Sequence, residues 1–198
     1  MRDDIIPGST FPDYELRDHT NQPRKLSSLQ GDGPMILILL RGHFCPKDRQ
    51  QLYDLVAFSS KIDVGYAKLV TISTDSLLEI NELRAGVGAH WPFLHDPSRV
   101  VQKDLDVAEY TDPMHDPMIP HTFVLKSGLV IHSIYNGYWY WGRPAIDELH
   151  RDLREVTAEI RSDWKIDTPE MRQAWESGER DRFWPYGRSF AEVFGKGD

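Results

Sequence analysis

Two segments with the pattern of buried strands, separated by a helical pattern, constrain the fold of this chain most strongly. Residues 35–40 are apolar throughout and follow a Gly-Asp-Gly-Pro turn, and the second segment, residues 68–73, contains Leu69, Val70 and Ile72. Short, partly β-branched runs of this kind are typical of strands that are buried on both faces of a sheet. Between them, a broad apolar stripe over residues 46–60 predicts the helix that crosses over the sheet. The sequence therefore favours βαβ units around parallel strands.

A second helix follows the second strand. Ser76 and Glu79 have the spacing of a capping box, and the helix that they open is expected to end near Gly86. A short strand is predicted over residues 93–95. Ser98 is expected to cap the short helix that comes next.

The second half of the chain is predicted to be antiparallel. Strands over residues 121–125 and 129–135 flank a short glycine-containing turn, as in a hairpin, and a helix follows over residues 145–160. The order βαβα, a short segment, then ββα is that of an α/β, thioredoxin-like fold. Such a fold has a central mixed β-sheet flanked by helices.

The last part of the chain differs in composition from the rest. We expect a thioredoxin-like domain over residues 1–163 and an aromatic-rich C-terminal extension over residues 164–198. Thr168 and Pro169 favour the start of a helix there, and Gly178 its end. Because a disordered tail rarely carries so many large aromatic residues, the extension is expected to pack on the domain or on a second subunit.

Charge and cysteine content exclude several classes of protein. The net charge of -8, with no basic stripe, argues against a nucleic-acid partner. A single cysteine excludes an intramolecular disulfide. The N-terminus lacks the apolar segment of a signal peptide, and the apolar runs are too short to span a membrane. We therefore expect a cytoplasmic protein with no membrane partner.

Cys45 is the residue that says most about function. It follows a buried strand, and Pro46 occupies the first position of the next helix. The N-terminus of a helix stabilises an anion such as a thiolate, and Arg41 adds positive charge nearby. A lone cysteine is more commonly an inert buried residue. Its position at a strand-to-helix junction favours the reactive interpretation.

The segment around Cys45 resembles the active-site loop of the peroxiredoxin-like AhpC/TSA (redoxin) family, in which Arg-Gly-x-x-Cys-Pro-x-Cys precedes a helix. Asp48 replaces the second cysteine of that motif. The resemblance covers about residues 5–160. It includes residues 7–16 (the N-terminal segment), 26–31 (a strand and turn), 95–97 (an Asp-Pro turn) and 119–128 (a proline-led strand opposite the active site).

This resemblance implies roles for particular residues. Cys45 would be the nucleophile and Arg41 its electrostatic support, while Pro120, matching a cis proline of thioredoxin-fold proteins, would shape the groove. The expected substrate pocket is formed by His43, Phe44, Pro46, Asp48, Ile119 and Thr122. Without a second cysteine, turnover would take a one-cysteine route, in which an external thiol reduces the sulfenic acid.

The chain also departs from the family pattern. Gly42 stands where the family has Thr or Ser, Ile38 where it has proline, and Pro120 where it has the catalytic arginine. Arg41 or Arg143 could replace that arginine in space. A catalytically degenerate binding or redox-sensing module is therefore the alternative to an antioxidant oxidoreductase, and a monothiol transferase is a third candidate.

The expected partners follow from the same interpretation. They are a hydroperoxide or a small thiol such as glutathione, an external reductant protein, and a second copy of the chain in a homodimer. No cofactor is expected. No metal is expected either, because the histidines at 90, 95, 115, 121 and 132 do not have metal-ligand spacing. The aromatic segment 135–144 favours equally a ligand or partner surface and a loop packed on the domain.

Overall fold

The computed structural model describes residues 1–138 and 141–195, so Trp139 and Tyr140 of the aromatic segment lie outside the described residues. The chain divides into two compact units, Met1–Ile160 and Arg161–Asp198. Within the described ranges, no helix is long and apolar enough to cross a lipid bilayer.

The first unit alternates strands and helices along most of its length. Its strands are β1 (Glu15–Asp18), β2 (Pro23–Lys25), β3 (Met35–Leu39), β4 (Lys68–Ser73), β5 (Phe93–His95), β6 (His121–Lys126) and β7 (Val130–Asn136). Its helices are α1 (Leu26–Gln30), α2 (Pro46–Val64), α3 (Leu77–Val87), α4 (Val100–Asp104) and α5 (Ile146–Ile160).

All seven strands form one mixed sheet in the order β2-β1-β5-β4-β3-β6-β7. Strands β3, β4 and β5 are parallel, and the other pairs are antiparallel. At the end of β3, Leu39 is paired with Ile72 on one side and His121 on the other. The parallel and antiparallel halves that the sequence predicted are therefore both present, and β3 lies where they meet.

The two faces of β3 belong to two hydrophobic cores. Ile36 and Ile38 pack in the core that contains the buried faces of α2, α3 and α5. Met35, Leu37 and Leu39 point to the opposite face and pack with residues such as Phe11, Leu26 and Phe123. Because side chains alternate along a strand, a run that is apolar throughout fits only a strand covered on both sides.

Two local predictions were wrong. Residues 26–31 form the helix α1 (Leu26–Gln30) and its C-cap residue Gly31 rather than a strand and turn. The Asp13 carboxylate holds the first turn, since it accepts hydrogen bonds from the Ser27 backbone N–H (2.9 Å) and hydroxyl (2.7 Å). Ser98 does not cap α4. The backbone N–H groups of its first turn donate to the carboxylate of Asp96 at 2.8 Å instead.

The second unit contains α6 (Pro169–Glu176) and α7 (Phe190–Phe194). The Thr168 hydroxyl accepts a hydrogen bond from the N–H of Met171, as expected for the N-cap of α6. Within this unit the Trp175 ring meets Phe183 edge to face at 5.3 Å. Packing of the extension on the domain or on a second subunit stays a prediction.

Candidate active site

Cys45 is the N-cap residue of α2, immediately after the loop that leaves β3. Its backbone N–H donates to the carbonyl of Gly42 at 3.0 Å, and Pro46 begins the helix. The side chain is buried, with 5% of the residue exposed. The dipole of a helix 19 residues long therefore ends at this thiol.

Gly42 has a conformation that no other residue would adopt without strain. Its φ is +148°, and a Cβ atom there would lie 2.6 Å from the Phe44 ring and 3.2 Å from Oδ1 of Asp75. The turn as it stands in this chain therefore requires glycine at this position. A side chain at this position would displace the turn that leads to Cys45.

Arg143 is the guanidinium closest to the thiol among the described contacts. Its Nη2 lies 3.5 Å from Sγ of Cys45. The same guanidinium forms an ion pair with the buried carboxylate of Asp48, to which Nε donates at 3.0 Å. It also donates to the carbonyl of Gly137 at 3.2 Å. These contacts orient one N–H edge of Arg143 toward the sulfur.

Asp48 is a structural anchor rather than a pocket residue. Besides pairing with Arg143, its carboxylate accepts the backbone N–H groups of Arg41 (2.6 Å) and Gly42 (3.2 Å). Complete burial raises the pKa of the Asp48 carboxyl, while Arg143 and the two N–H groups act in the opposite direction. The sequence had placed this residue in the substrate pocket, and the cavity lining does not include it.

Arg41 faces the cavity, but carboxylates balance its charge. Its guanidinium donates to both carboxylate oxygens of Glu109, at 2.6 and 2.9 Å, and to Asp112 at 3.0 Å. The hydrogen bonds with Glu109 raise the pKa of Arg41 and lower the pKa of Glu109. Arg41 thus ties the loop before α2 to residues 109–112.

A cavity of about 760 Å³ opens over the thiol. Its walls come from the α2 N-terminus, residues 108–111, the two residues before β6 and the segment after β7. The lining residues are Arg41, Cys45, Pro46, Lys47, Ala108, Glu109, Tyr110, Thr111, Ile119, Pro120, Gly137, Tyr138 and Arg143.

Pro120 lines this cavity in the trans form. The expectation of a cis Ile119–Pro120 bond was wrong, since the cis bond among the described residues is Trp184–Pro185. Just before β6, the Pro120 carbonyl accepts the N–H of Gly137 at 2.7 Å. A Cβ on Gly137 would lie 2.5 Å from the proline ring, so the two segments are in close contact.

The remaining predicted pocket residues divide into two groups. Pro46 and Ile119 line the cavity with Cys45, Arg41 and Pro120. His43, Phe44 and Thr122 are outside its lining. His43 binds Asp75 (2.9 Å), Phe44 stacks on His115 with ring centroids 3.7 Å apart, and the buried Thr122 hydroxyl accepts from Gln51 at 2.8 Å.

Sequence reasoning left Arg143 and residues 108–111 out of the site. Arg143 had been considered only as a possible substitute for the missing arginine. It is 98 residues from Cys45 in sequence, and no motif spacing connects the two. The one sequence feature that could have indicated its role was its position just before α5, at the end of the antiparallel half.

The fold and the site together define a thioredoxin-like protein with a single cysteine at a helix N-terminus beneath an open cavity. The AhpC/TSA family model matches residues 7–134. The chain therefore belongs to the AhpC/TSA family, as the segment around Cys45 had indicated. No curated protein sequence matches the chain.

Solved structures share the fold at low sequence identity. The peroxidoxin BcpB of Mycobacterium tuberculosis is 23% identical with a TM-score of 0.65, and the match covers 77% of this chain and 96% of that one. AhpC of Enterococcus faecalis is 16% identical with a TM-score of 0.67, covering 82% and 98%. The bacterioferritin comigratory protein of Xanthomonas campestris is 14% identical with a TM-score of 0.60, covering 75% and 92%.

Proposed function

We propose that the chain is a thiol peroxidase that reduces a hydroperoxide through Cys45. The observation that carries the proposal is the contact between Sγ of Cys45 and Nη2 of Arg143, 3.5 Å apart, at the floor of the cavity. The N-terminus of α2 and this guanidinium both lie beside the sulfur, and the thiolate is the form of cysteine that attacks a peroxide. Membership of the AhpC/TSA family supports the same chemistry.

The reaction begins with attack of the Cys45 thiolate on one peroxide oxygen. The S–O bond forms as the O–O bond breaks, the sulfur is oxidised to a sulfenic acid, and the departing alkoxide takes a proton and leaves as an alcohol. Negative charge grows on the departing oxygen as this bond breaks. Arg143 is the donor placed to stabilise that charge, since preorganised donors act most strongly where charge develops.

The single cysteine determines how the enzyme is regenerated. An external thiol such as glutathione condenses with the sulfenic acid, releasing water and leaving a mixed disulfide. A second thiol then attacks that disulfide, restoring the Cys45 thiol and releasing the oxidised reductant. No second protein thiol is needed in this route.

The cavity favours an organic hydroperoxide as substrate. Pro46, Ala108, Ile119 and Pro120 present apolar atoms beside the sulfur, and a volume of about 760 Å³ is in the range of small-molecule sites. The X. campestris relative is a protein with alkyl peroxide reduction activity. We therefore propose alkyl hydroperoxides ahead of hydrogen peroxide.

The test is the rate at which reduced protein loses its thiol to cumene hydroperoxide, measured at one pH beside free glutathione. We expect the protein to react at least about 10²-fold faster, the scale of one preorganised charge-stabilising donor. Trapping with a sulfenic-acid reagent should label wild type and not Cys45→Ser. A rate no greater than that of glutathione would overturn the proposal.

Two observations support the binding or redox-sensing alternative. Cys45 is only 5% exposed, and Arg41 is paired with Glu109 and Asp112. A sensor would be supported if Cys45 reacts slowly with peroxide, this reaction still changes the binding of a partner protein, and Cys45→Ala abolishes that change. A stable glutathione adduct with no peroxide reaction would support a monothiol transferase.

We also propose that the chain forms a homodimer, as the sequence led us to expect. Sedimentation velocity of the full chain at micromolar concentration tests this assembly state. A monomeric profile would contradict it.

A further inference from the structure

A second group of chemically active side chains lies outside the cavity lining, at the start of α3. Nδ1 of His43 is 2.9 Å from Oδ1 of Asp75 and 3.9 Å from Oε1 of Glu79. These three atoms all lie within 4.8 Å of one another. His43 comes from the loop before Cys45, while the two carboxylates come from the end of β4 and the first turn of α3.

In each carboxylate, the oxygen that does not face His43 accepts hydrogen bonds that fix the side chain. Oδ2 of Asp75 accepts the backbone N–H of His43 at 2.8 Å and the Ser73 hydroxyl at 2.5 Å. Oε2 of Glu79 accepts the backbone N–H of Ser76 at 2.8 Å, in the capping box that the sequence predicted. Each carboxylate therefore directs one oxygen toward the same imidazole nitrogen, and outer hydrogen bonds of this kind orient metal ligands.

The spacing of the three atoms matches a transition-metal site. Zinc binds histidine nitrogen and carboxylate oxygen at about 2.0–2.2 Å, which places tetrahedral ligand atoms about 3.3 Å apart. Nδ1 is 2.9 Å from Asp75, in a hydrogen bond whose proton the ion would replace, and 3.9 Å from Glu79, so the two separations bracket that value. Small side-chain shifts would therefore complete the coordination.

Charge and access agree with this geometry. The N-terminus of α3 carries about half a positive charge, which repels a cation. The two carboxylates together carry more negative charge than this, so the site as a whole attracts a cation. The side chains of His43 and Glu79 are 35% and 40% exposed, so an ion can enter from solvent.

We propose that His43, Asp75 and Glu79 bind a divalent transition metal, with Zn²⁺ the best match to one imidazole and two carboxylates. The ion would link the turn before Cys45 to the start of α3, and solvent would fill its fourth position. This inference does not depend on peroxidase activity. Spacing along the sequence did not reveal the site, because its ligands come from two segments.

The test is calorimetric titration of Zn²⁺ into chelator-treated Cys45→Ser protein, which removes the thiol as a competing ligand. We expect one equivalent to bind, and His43→Ala and Glu79→Gln to weaken binding about tenfold or more, the lower end of what loss of an outer-shell partner costs. Glu79→Gln keeps an amide oxygen for the helix cap. The matched control is Glu155→Gln, in the similar His132–Asp152–Glu155 group, which should leave the affinity unchanged.

A second measurement needs no variant of the ligands. Co²⁺ added to the Cys45→Ser protein should broaden the backbone amide signals of residues 43 and 75–79 before those of residues 132 and 152–155. Any of three results would overturn the proposal. These are no binding of Zn²⁺, an affinity for Zn²⁺ that His43→Ala and Glu79→Gln leave unchanged, and broadening centred on residues 132 and 152–155.

Discussion

Asp48 and Arg143 form a buried ion pair between residues 95 positions apart, and this pair places a guanidinium nitrogen 3.5 Å from the only thiol of the chain. Asp48 stands where the family motif has its second cysteine. The chain has at this position a carboxylate that holds Arg143, and no second thiol. The same position thus accounts for the proposed one-cysteine route and for the electrostatics of the site.

The first prediction concerns Arg143. Arg143→Ala should slow the reaction of Cys45 with cumene hydroperoxide by roughly 10²-fold, because it removes the donor beside the breaking O–O bond. Stopped-flow measurement of thiol loss tests this. Arg41→Ala is the matched control and should slow the reaction less, since among the described contacts Arg143 donates to Sγ of Cys45 whereas Arg41 donates to Glu109 and Asp112. An equal or greater loss in Arg41→Ala would assign the role to Arg41.

The second prediction concerns stability. Asp48→Ala should lower the free energy of unfolding by about 3–5 kcal/mol, since breaking a buried pair leaves the other charge uncompensated. It also removes the acceptor of two backbone N–H groups. Urea denaturation measures the change.

The comparison for that measurement is an exposed ion pair. Lys126 and Glu159 are 2.6 Å apart, and the glutamate is exposed. Glu159→Ala should cost less than about 1 kcal/mol. Equal losses in the two variants would show that the buried pair has no special role in the stability of the fold.

Sequence patterns predicted the fold more completely than the site. The apolar run of β3 and the capping box of α3 are local signals, because burial and capping leave their marks on adjacent residues. Cys45 was identified for the same reason, since its position between a strand and a helix-starting proline is local.

The site contacts that sequence missed are all distant in the chain. Arg143 reaches Cys45 only because β6 and β7 bring the segment before α5 beside the end of β3. The error at the cap of α4 was local instead, because the carboxylate of Asp96 and not the hydroxyl of the neighbouring Ser98 accepts the N–H groups of the helix. The trans form of Pro120 was missed because it had been assigned by analogy with other thioredoxin-fold proteins.

The third prediction concerns the turn before Cys45. Gly42→Ala should lower the free energy of unfolding by about 1–3 kcal/mol, because its φ of +148° is strained for any side chain. The added methyl group would also meet the Phe44 ring. Gly88→Ala is the matched control, since its φ of +76° is also positive but its Cβ would have nothing within 4 Å. Equal destabilisation of the two variants would contradict a steric role for Phe44.

The fourth prediction concerns pH. Burial lowers the pKa of His121 in the folded protein, and its Nδ1 lies 2.8 Å from the carbonyl oxygen of Ile119. In the unfolded chain the pKa returns to about 6.5, so the unfolded state binds more protons at acidic pH. The contribution of neutral His121 to the free energy of unfolding is therefore fully present above about pH 6.5. It is lost as the pH falls toward the lower pKa that His121 has in the folded protein.

Urea unfolding at pH 7.5 and 5.5 measures this loss in wild type and in His121→Asn. The asparagine amide retains a donor for the Ile119 carbonyl and does not titrate in this range. The variant should therefore lose less stability than wild type between the two pH values. An equal loss would show that other groups, such as His95, whose pKa burial also lowers, account for the acid sensitivity of the fold.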